Sequence, residues 1–161
     1  MVPENADVRK GKKTNFMNQK KSFMGCVHAE IELINGEDEL LARRHVIGEE
    51  EVKRTGIKML VDSGAYMMAI NENIQAYLNL PFQYKEPAVL ADGRVMECDV
   101  VGPVEVRFAN RRATCSAFVL PGDSEPLLGA IPMEQMDVLI DPRRQELIVN
   151  PKHPDAAMHR L

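Results

Sequence analysis

The chain has 161 residues, 45% of them hydrophobic, with 20 Lys and Arg against 24 Asp and Glu. That length supports one domain with a sizeable core, and no apolar run is long enough to span a bilayer. Aromatics make up 5% and Trp is missing, so base-stacking surfaces are poorly supplied and nucleic acid is not an expected partner.

The net charge of -4 is unevenly placed. Residues 1–21 hold Arg9, Lys10, Lys12, Lys13, Lys20 and Lys21 against only Glu4 and Asp7. This composition predicts a basic, solvated and disordered tail over 1–23, a domain over 24–153 and a frayed tail over 154–161. The polar start carries no apolar signal-peptide core, so a cytoplasmic protein with no membrane partner is expected. Cys26, Cys98 and Cys115 show no metal spacing and read as buried or incidental thiols. His28, His45, His153 and His159 are scattered without ligand spacing, so neither a metal nor a cofactor is expected.

From Cys26 to Leu33 apolar and polar residues alternate, and Asn35-Gly36 follows, which predicts a half-buried strand and a turn. Glu37 to Arg54 is heavily charged and reads as a solvated loop or irregular hairpin, with Val46-Ile47 as a brief strand. Thr55 to Val61 is the next strand, and Tyr66 to Ile70 its return. Ile70, Ile74 and Leu78 fall at helical spacing, with Asn71 as cap and Pro81 as stop, predicting a short helix. Ala88 to Glu97 reads as a hairpin with Asp92-Gly93 at its tip. Val100 to Phe108 continues as strand, bent at Gly102-Pro103, and Ala113 to Leu120 pairs back after a turn at Asn110-Arg111. Leu127-Leu128 is a further strand, Pro132 to Met136 one helical turn, and Val138 to Val149 a last hairpin. Many short strands separated by turns predict an all-β, closed barrel-like domain with two short helices.

One stretch organises the rest. Met59-Leu60-Val61 runs straight into Asp62-Ser63-Gly64-Ala65, setting a carboxylate at the end of a buried strand, with a glycine free to take positive φ. A carboxylate so placed is costly unless it is paired or protonated. Two such carboxylates facing each other share a proton and divide the acid and base roles. About 65 residues later comes a second apolar segment, Leu127-Leu128-Gly129.

An apolar pair followed by Asp-Ser/Thr-Gly-Ala, with a later apolar-apolar-Gly, resembles the single-lobed, retropepsin-like aspartic proteases, especially their bacterial members. The likeness covers roughly Met24 to Pro151. It implies Asp62 as the catalytic acid, Ser63, Gly64 and Ala65 as active-site loop support, and Leu127, Leu128 and Gly129 packing beneath that loop. Ala91, Asp92 and Gly93 would form the tip of a flap over a polypeptide substrate bound in extended form. Only one Asp-Ser-Gly is present, so the resemblance implies a homodimer that brings together Asp62 from each chain. Two positions depart from the retroviral pattern: where an acid and an arginine partner usually stand, this chain has Tyr66 and Ala130. Met67, Met68 and Val89 are candidates for an apolar pocket, with core packing the competing fate of each.

Two other readings use the same residues. A catalytically idle peptide-binding or dimerisation module could share the fold, although such a module has little cause to keep an unpaired acid at position 62. Gly122-Asp123-Ser124 superficially resembles a serine-hydrolase nucleophile turn, but it lies between prolines with no suitably spaced acid and histidine after it.

Overall fold

The computed structural model describes residues 26–161; the basic segment expected over 1–23 lies outside them. Nine strands and three α-helices follow in order. They are β1 (Val27–Asn35), α1 (Gly36–Arg43), β2 (Arg54–Val61), β3 (Met68–Asn71), α2 (Glu72–Leu78), β4 (Phe82–Val89), β5 (Val95–Phe108), β6 (Arg111–Leu120), β7 (Leu127–Leu128), α3 (Ala130–Met136), β8 (Val138–Asp141) and β9 (Glu146–Val149). A single 3-10 turn, Glu49–Glu51, lies between α1 and β2.

The chain is mostly β, as its short alternating segments predict. Seven strands run in the order β1-β2-β7-β3-β6-β5-β4, and β1 also pairs with β5. Six of them therefore pair in a ring, with β4 attached outside as an edge; β8 and β9 form a separate two-stranded sheet. The ring encloses Ile31, Leu33, Met59, Met68, Ile70, Val101, Val104 and Leu128, all essentially without exposure. On β1 the alternation is literal: Val27, Ala29, Ile31 and Leu33 point inward while His28, Glu30 and Glu32 face out. Pairing shifts by one position between Val101 and Val104, so the bend expected at Gly102-Pro103 is a real irregularity of β5.

Three helices are described where two were expected, and the third overturns the loop reading of Glu37 to Arg54. Asn35 is the reason. Its Oδ1 accepts from Asp38 N–H at 3.1 Å, capping α1, while Glu37, Asp38 and Glu39 fill the first turn and Arg43 the last, matching the helix dipole. The expected turn residue is thus a helix cap. Arg107 Nη2 donates to Glu39 Oε1 at 2.9 Å, and Ala42 packs with Ile34 and Val52 in a small second core, fixing α1 against the ring. Val46 and Ile47 form no strand; Val46 is exposed and Ile47 lies against that second core. The 3-10 turn at Glu49–Glu51 closes with Gly48 N–H donating to Glu51 Oε2.

Asn71 repeats the device at α2, its Oδ1 accepting from Ile74 N–H at 2.9 Å. This helix ends at Asn79, whose φ of 49 puts it in the left-handed region, two residues before the proline expected to stop it. Asn35 also donates its Nδ2 to the carbonyls of Leu78 and Asn79 at 2.9 and 3.1 Å, so one buried amide starts α1 and closes α2. The last helix is also longer than the single turn expected, running over seven residues.

Beyond β9 the chain folds back. Asn110 Nδ2 donates to the carbonyls of Pro154 and Asp155, the first residues of the tail expected to fray, and Met158 N–H donates to Asp137 Oδ2. No helix among the described residues is long and apolar enough to cross a membrane.

Replacing Asn35 by Ala removes a cap and leaves two carbonyls without their donor. The expected loss is about 2–4 kcal/mol of unfolding free energy, read from urea denaturation. Asp137 generates a second expectation. Hydrogen bonds from Asn150 and His153 hold its carboxyl down at about 2, against an ordinary 3.8. The fold thus favours the ionised form, so this contribution is complete above 3.8 and is lost as pH falls through about 2. Across that interval the melting temperature of wild type falls more steeply than that of Asn150→Ala, which removes the first of the two side-chain bonds that hold the carboxyl down.

Candidate active site

Strands β2 and β3 are not neighbours, although the Asp62 loop joins them directly. β7 lies between, parallel to β2 through Leu60–Leu127 and Val61–Leu128, and antiparallel to β3 through Ala69–Leu127. The loop therefore arches over the end of β7. Asp62 N–H donates to Leu128 O at 2.9 Å, and Leu60 N–H to Pro126 O at 3.0 Å. The two segments that the sequence placed about 65 residues apart meet here.

The next contacts come from α3. The first N–H groups of a helix have no partner within it. Here Ala130 N–H donates to Ala65 O at 2.8 Å and Ile131 N–H to Tyr66 O at 3.1 Å, so the helix start holds the loop from below. Gly129 makes this approach feasible. A Cβ there would collide with the Met67 carbonyl and come within 2.9 Å of Ala65 O.

Within the loop, Gly64 N–H donates to Asp62 Oδ1 at 2.9 Å, and Ala65 N–H to Asp62 O at 3.2 Å. Gly64 does not take the positive φ anticipated for it; Gly93, Gly102 and Gly122 are the described glycines that do. Its service is closeness, since a Cβ at 64 would stand 3.2 Å from Asp62 Oδ1. Asp62 is half-buried, while Ser63 and Gly64 are exposed. Among the described residues no partner engages the second carboxylate oxygen of Asp62. One oxygen is thus oriented by a backbone donor.

The expected hairpin is present and longer than anticipated, with β4 and the first half of β5 pairing from Tyr84–Val100 to Val89–Val95. Ala91, Asp92 and Gly93 are all exposed at its tip. The turn is closed by Leu90 N–H to Arg94 O at 2.8 Å and Gly93 N–H to Leu90 O at 2.9 Å, with Gly93 at φ 85. Asp92 accepts from the Arg94 backbone N–H at 3.0 Å and from Arg94 Nε at 2.6 Å, and these bonds hold its carboxyl below the usual range. Among the described residues the hydrogen bonds of the tip are internal to it, whereas the Asp62 loop has, besides its internal ones, bonds to β7 and α3.

The candidate pocket residues separate. Met68 is wholly in the core, Met67 is half-buried, and Val89 is exposed beside the tip. Tyr66 is 73% exposed next to the Asp62 loop, a position that sequence reasoning treated only as a missing acid. Sequence reasoning also missed the pair formed by His28 Nε2 and Glu125 Oε1 at 2.6 Å, which ties β1 to the loop leading into β7. No spacing rule finds a pair 97 residues apart. Ser124 gives no sign of a nucleophile; its hydroxyl donates to Pro121 O at 2.6 Å. Among the described residues no group of three or more His, Cys, Asp or Glu is placed to hold a metal ion. Burial pushes the Cys115 thiol up to about 12, far from reactive.

Gly129→Ala is expected to cost about 1–3 kcal/mol, because the added methyl meets backbone carbonyls with nowhere to move. Gly64→Ala meets one side-chain oxygen at a tolerable distance and should be milder. Paired thermal melts give the order. No protein-family model matches this chain and no curated protein matches it, so its activity has to be read from its own residues and their geometry.

Proposed function

We propose that this chain is a single-lobed, retropepsin-like aspartic endopeptidase that works as a homodimer, with Asp62 of each protomer forming the catalytic pair. The observation that carries this reading is the Asp62–Ala65 loop, arched over β7 and held by Leu128 O, Gly129 and the start of α3. A half-buried acid on a loop so bonded, with one oxygen oriented by Gly64 N–H and the other without a partner among the described residues, is prepared for proton transfer.

One such acid supplies only half of the chemistry. With two chains related by a two-fold axis, the exposed Ser63-Gly64 edges face each other and the carboxylates come within about 3 Å, where they share one proton. The ionised Asp62 takes a proton from the water between them. The protonated one donates to the scissile carbonyl and stabilises the oxyanion as the water oxygen attacks. The hydroxyl of Ser63, an exposed residue, would bond across the axis. The β4–β5 hairpin serves as the flap, binding an extended polypeptide by backbone pairing, with alternate side chains entering pockets.

The test is cleavage of a diverse peptide pool at several pH values by wild type and Asp62→Asn, with sedimentation in the same buffers. Wild type should sediment as a dimer and cut, with activity favouring mildly acidic pH. The variant should lose about 10²–10⁴-fold in rate, as removal of a general acid–base group does. A folded dimer that cuts nothing would leave a peptide-binding module in its place, and an obligate monomer that cuts would sink the shared-proton mechanism.

A further inference from the structure

The residues after β9 converge on one carboxylate. Asn150 donates its backbone N–H to Asp137 O at 3.1 Å and its Nδ2 to Asp137 Oδ1 at 3.0 Å. His153 Nδ1 lies 2.6 Å from Asp137 Oδ2, and Met158 N–H reaches the same oxygen at 3.2 Å. Arg111, whose side chain has no exposure, donates from Nη2 to the His153 carbonyl and stands 4.0 Å from Asp137 Oδ2. Further on, His159 and Leu161 line an open groove together with Glu134 and Gln135 of α3 and Arg112 and Thr114 of β6. The chain end therefore runs back along α3.

Asp137 is the residue that ends α3, at φ 53 in the left-handed region. The opposite end of the same seven-residue helix holds the Asp62 loop through Ala130 and Ile131. So short a helix has few internal hydrogen bonds, and its placement depends on what grips it. Its own Pro132, Met133 and Met136 are buried, the Asp62 loop is bonded to its start, and residues 150–158 are bonded to Asp137 at its finish. The Nε and Nη1 of Arg111 have no hydrogen-bond partner among the described residues. Compensation of this buried charge thus falls to Asp137 and the His153 carbonyl, which favours the docked arrangement.

We propose that residues 150–158 form a strap that positions the Asp62 loop through α3, with Asp137 as the positioning residue. This rests on the reading of Asp62 as the reacting acid. With the strap docked, α3 is held at both ends and the Ala65 and Tyr66 carbonyls keep their donors. With it released, the far end of α3 keeps the buried Met136 but loses the hydrogen bonds at Asp137, and the carboxylate loses part of a setting that catalysis requires to within a fraction of an ångström.

Asp137→Asn would leave the Arg111 charge buried without an anion and risks misfolding. The informative variant is therefore Asn150→Ala with His153→Ala, which removes two donors and keeps Asp137 facing Arg111. Amide hydrogen exchange on the full chain, wild type against variant, is read at Ala130 and Ile131 with the β1–β2 ladder as internal reference. In parallel, kcat and KM are measured on a peptide that wild type cleaves. The expected result is exchange about tenfold faster at Ala130 and Ile131, the order of coupling carried through packed elements, with the ladder unchanged. kcat should fall severalfold while KM holds. Unchanged exchange at those two amides, or a rise matched by the ladder, overturns the strap. A wild type that cleaves no peptide removes the reading of Asp62, and the exchange comparison still decides the strap.

Discussion

The centre of this structure is a backbone contact that only a glycine permits. Gly129 brings the end of β7 against the carbonyls of Ala65 and Met67 so closely that no side chain fits between. That approach puts β7 between two strands joined directly by a loop, and it lets the first N–H groups of α3 satisfy carbonyls of the same loop. Exposed backbone at a sharp turn would ordinarily be solvated and mobile. Here it is bonded from below, at Asp62 itself and at Ala65 and Tyr66 after it.

Two asparagines do for the helices what Gly129 does for the loop. Asn35 and Asn71 each end a strand, cap the helix that follows and donate to a distant carbonyl. A buried amide is costly unless its oxygen and nitrogen are used, and in both residues both are used. For Asn71 the distant carbonyl belongs to Ser124, in the loop that delivers β7, so the cap of α2 also steadies the approach to the candidate site. The His28–Glu125 pair acts on the same loop from the β1 side.

The hairpin is organised on the opposite principle. Among the described residues β4 is an edge, exposed along nearly its whole length, and the hydrogen bonds of its tip lie within the tip. Lys85 and Pro87 on this edge discourage pairing with stray strands, one by charge and one by lacking a donor. Val89 and Val95 remain at the tip, 74% and 71% exposed. The Asp62 loop is thus tied to the strands and helix beneath it, while the hairpin extends from the ring through β5.

Much of this was legible in the residues. Alternation on β1 showed which side chains point inward, because a two-residue period leaves no choice once one face is buried. Asp62-Ser63-Gly64-Ala65 marked the candidate acid, because an acid ending an apolar strand is locally anomalous, whereas Leu127-Leu128-Gly129 stood out as its support only through the resemblance to retropepsin-like proteases. The helix at Gly36–Arg43 was not legible, since Asn-Gly before a charged run suits a turn as well as a cap. What settles it is a small core of Ile34, Ala42 and Val52, drawn from three separate segments. The role of Gly64 was misjudged for a related reason: composition shows that a glycine is needed, while only the neighbouring carboxylate shows that closeness, and not positive φ, is the need. The convergence of the chain end on Asp137 and the insertion of β7 between β2 and β3 lay further still from local pattern. Both join residues far apart in the chain through backbone donors and acceptors, which every residue type carries alike, so the sequence by itself determined the acid and its strand, and only the tertiary structure decided what holds them.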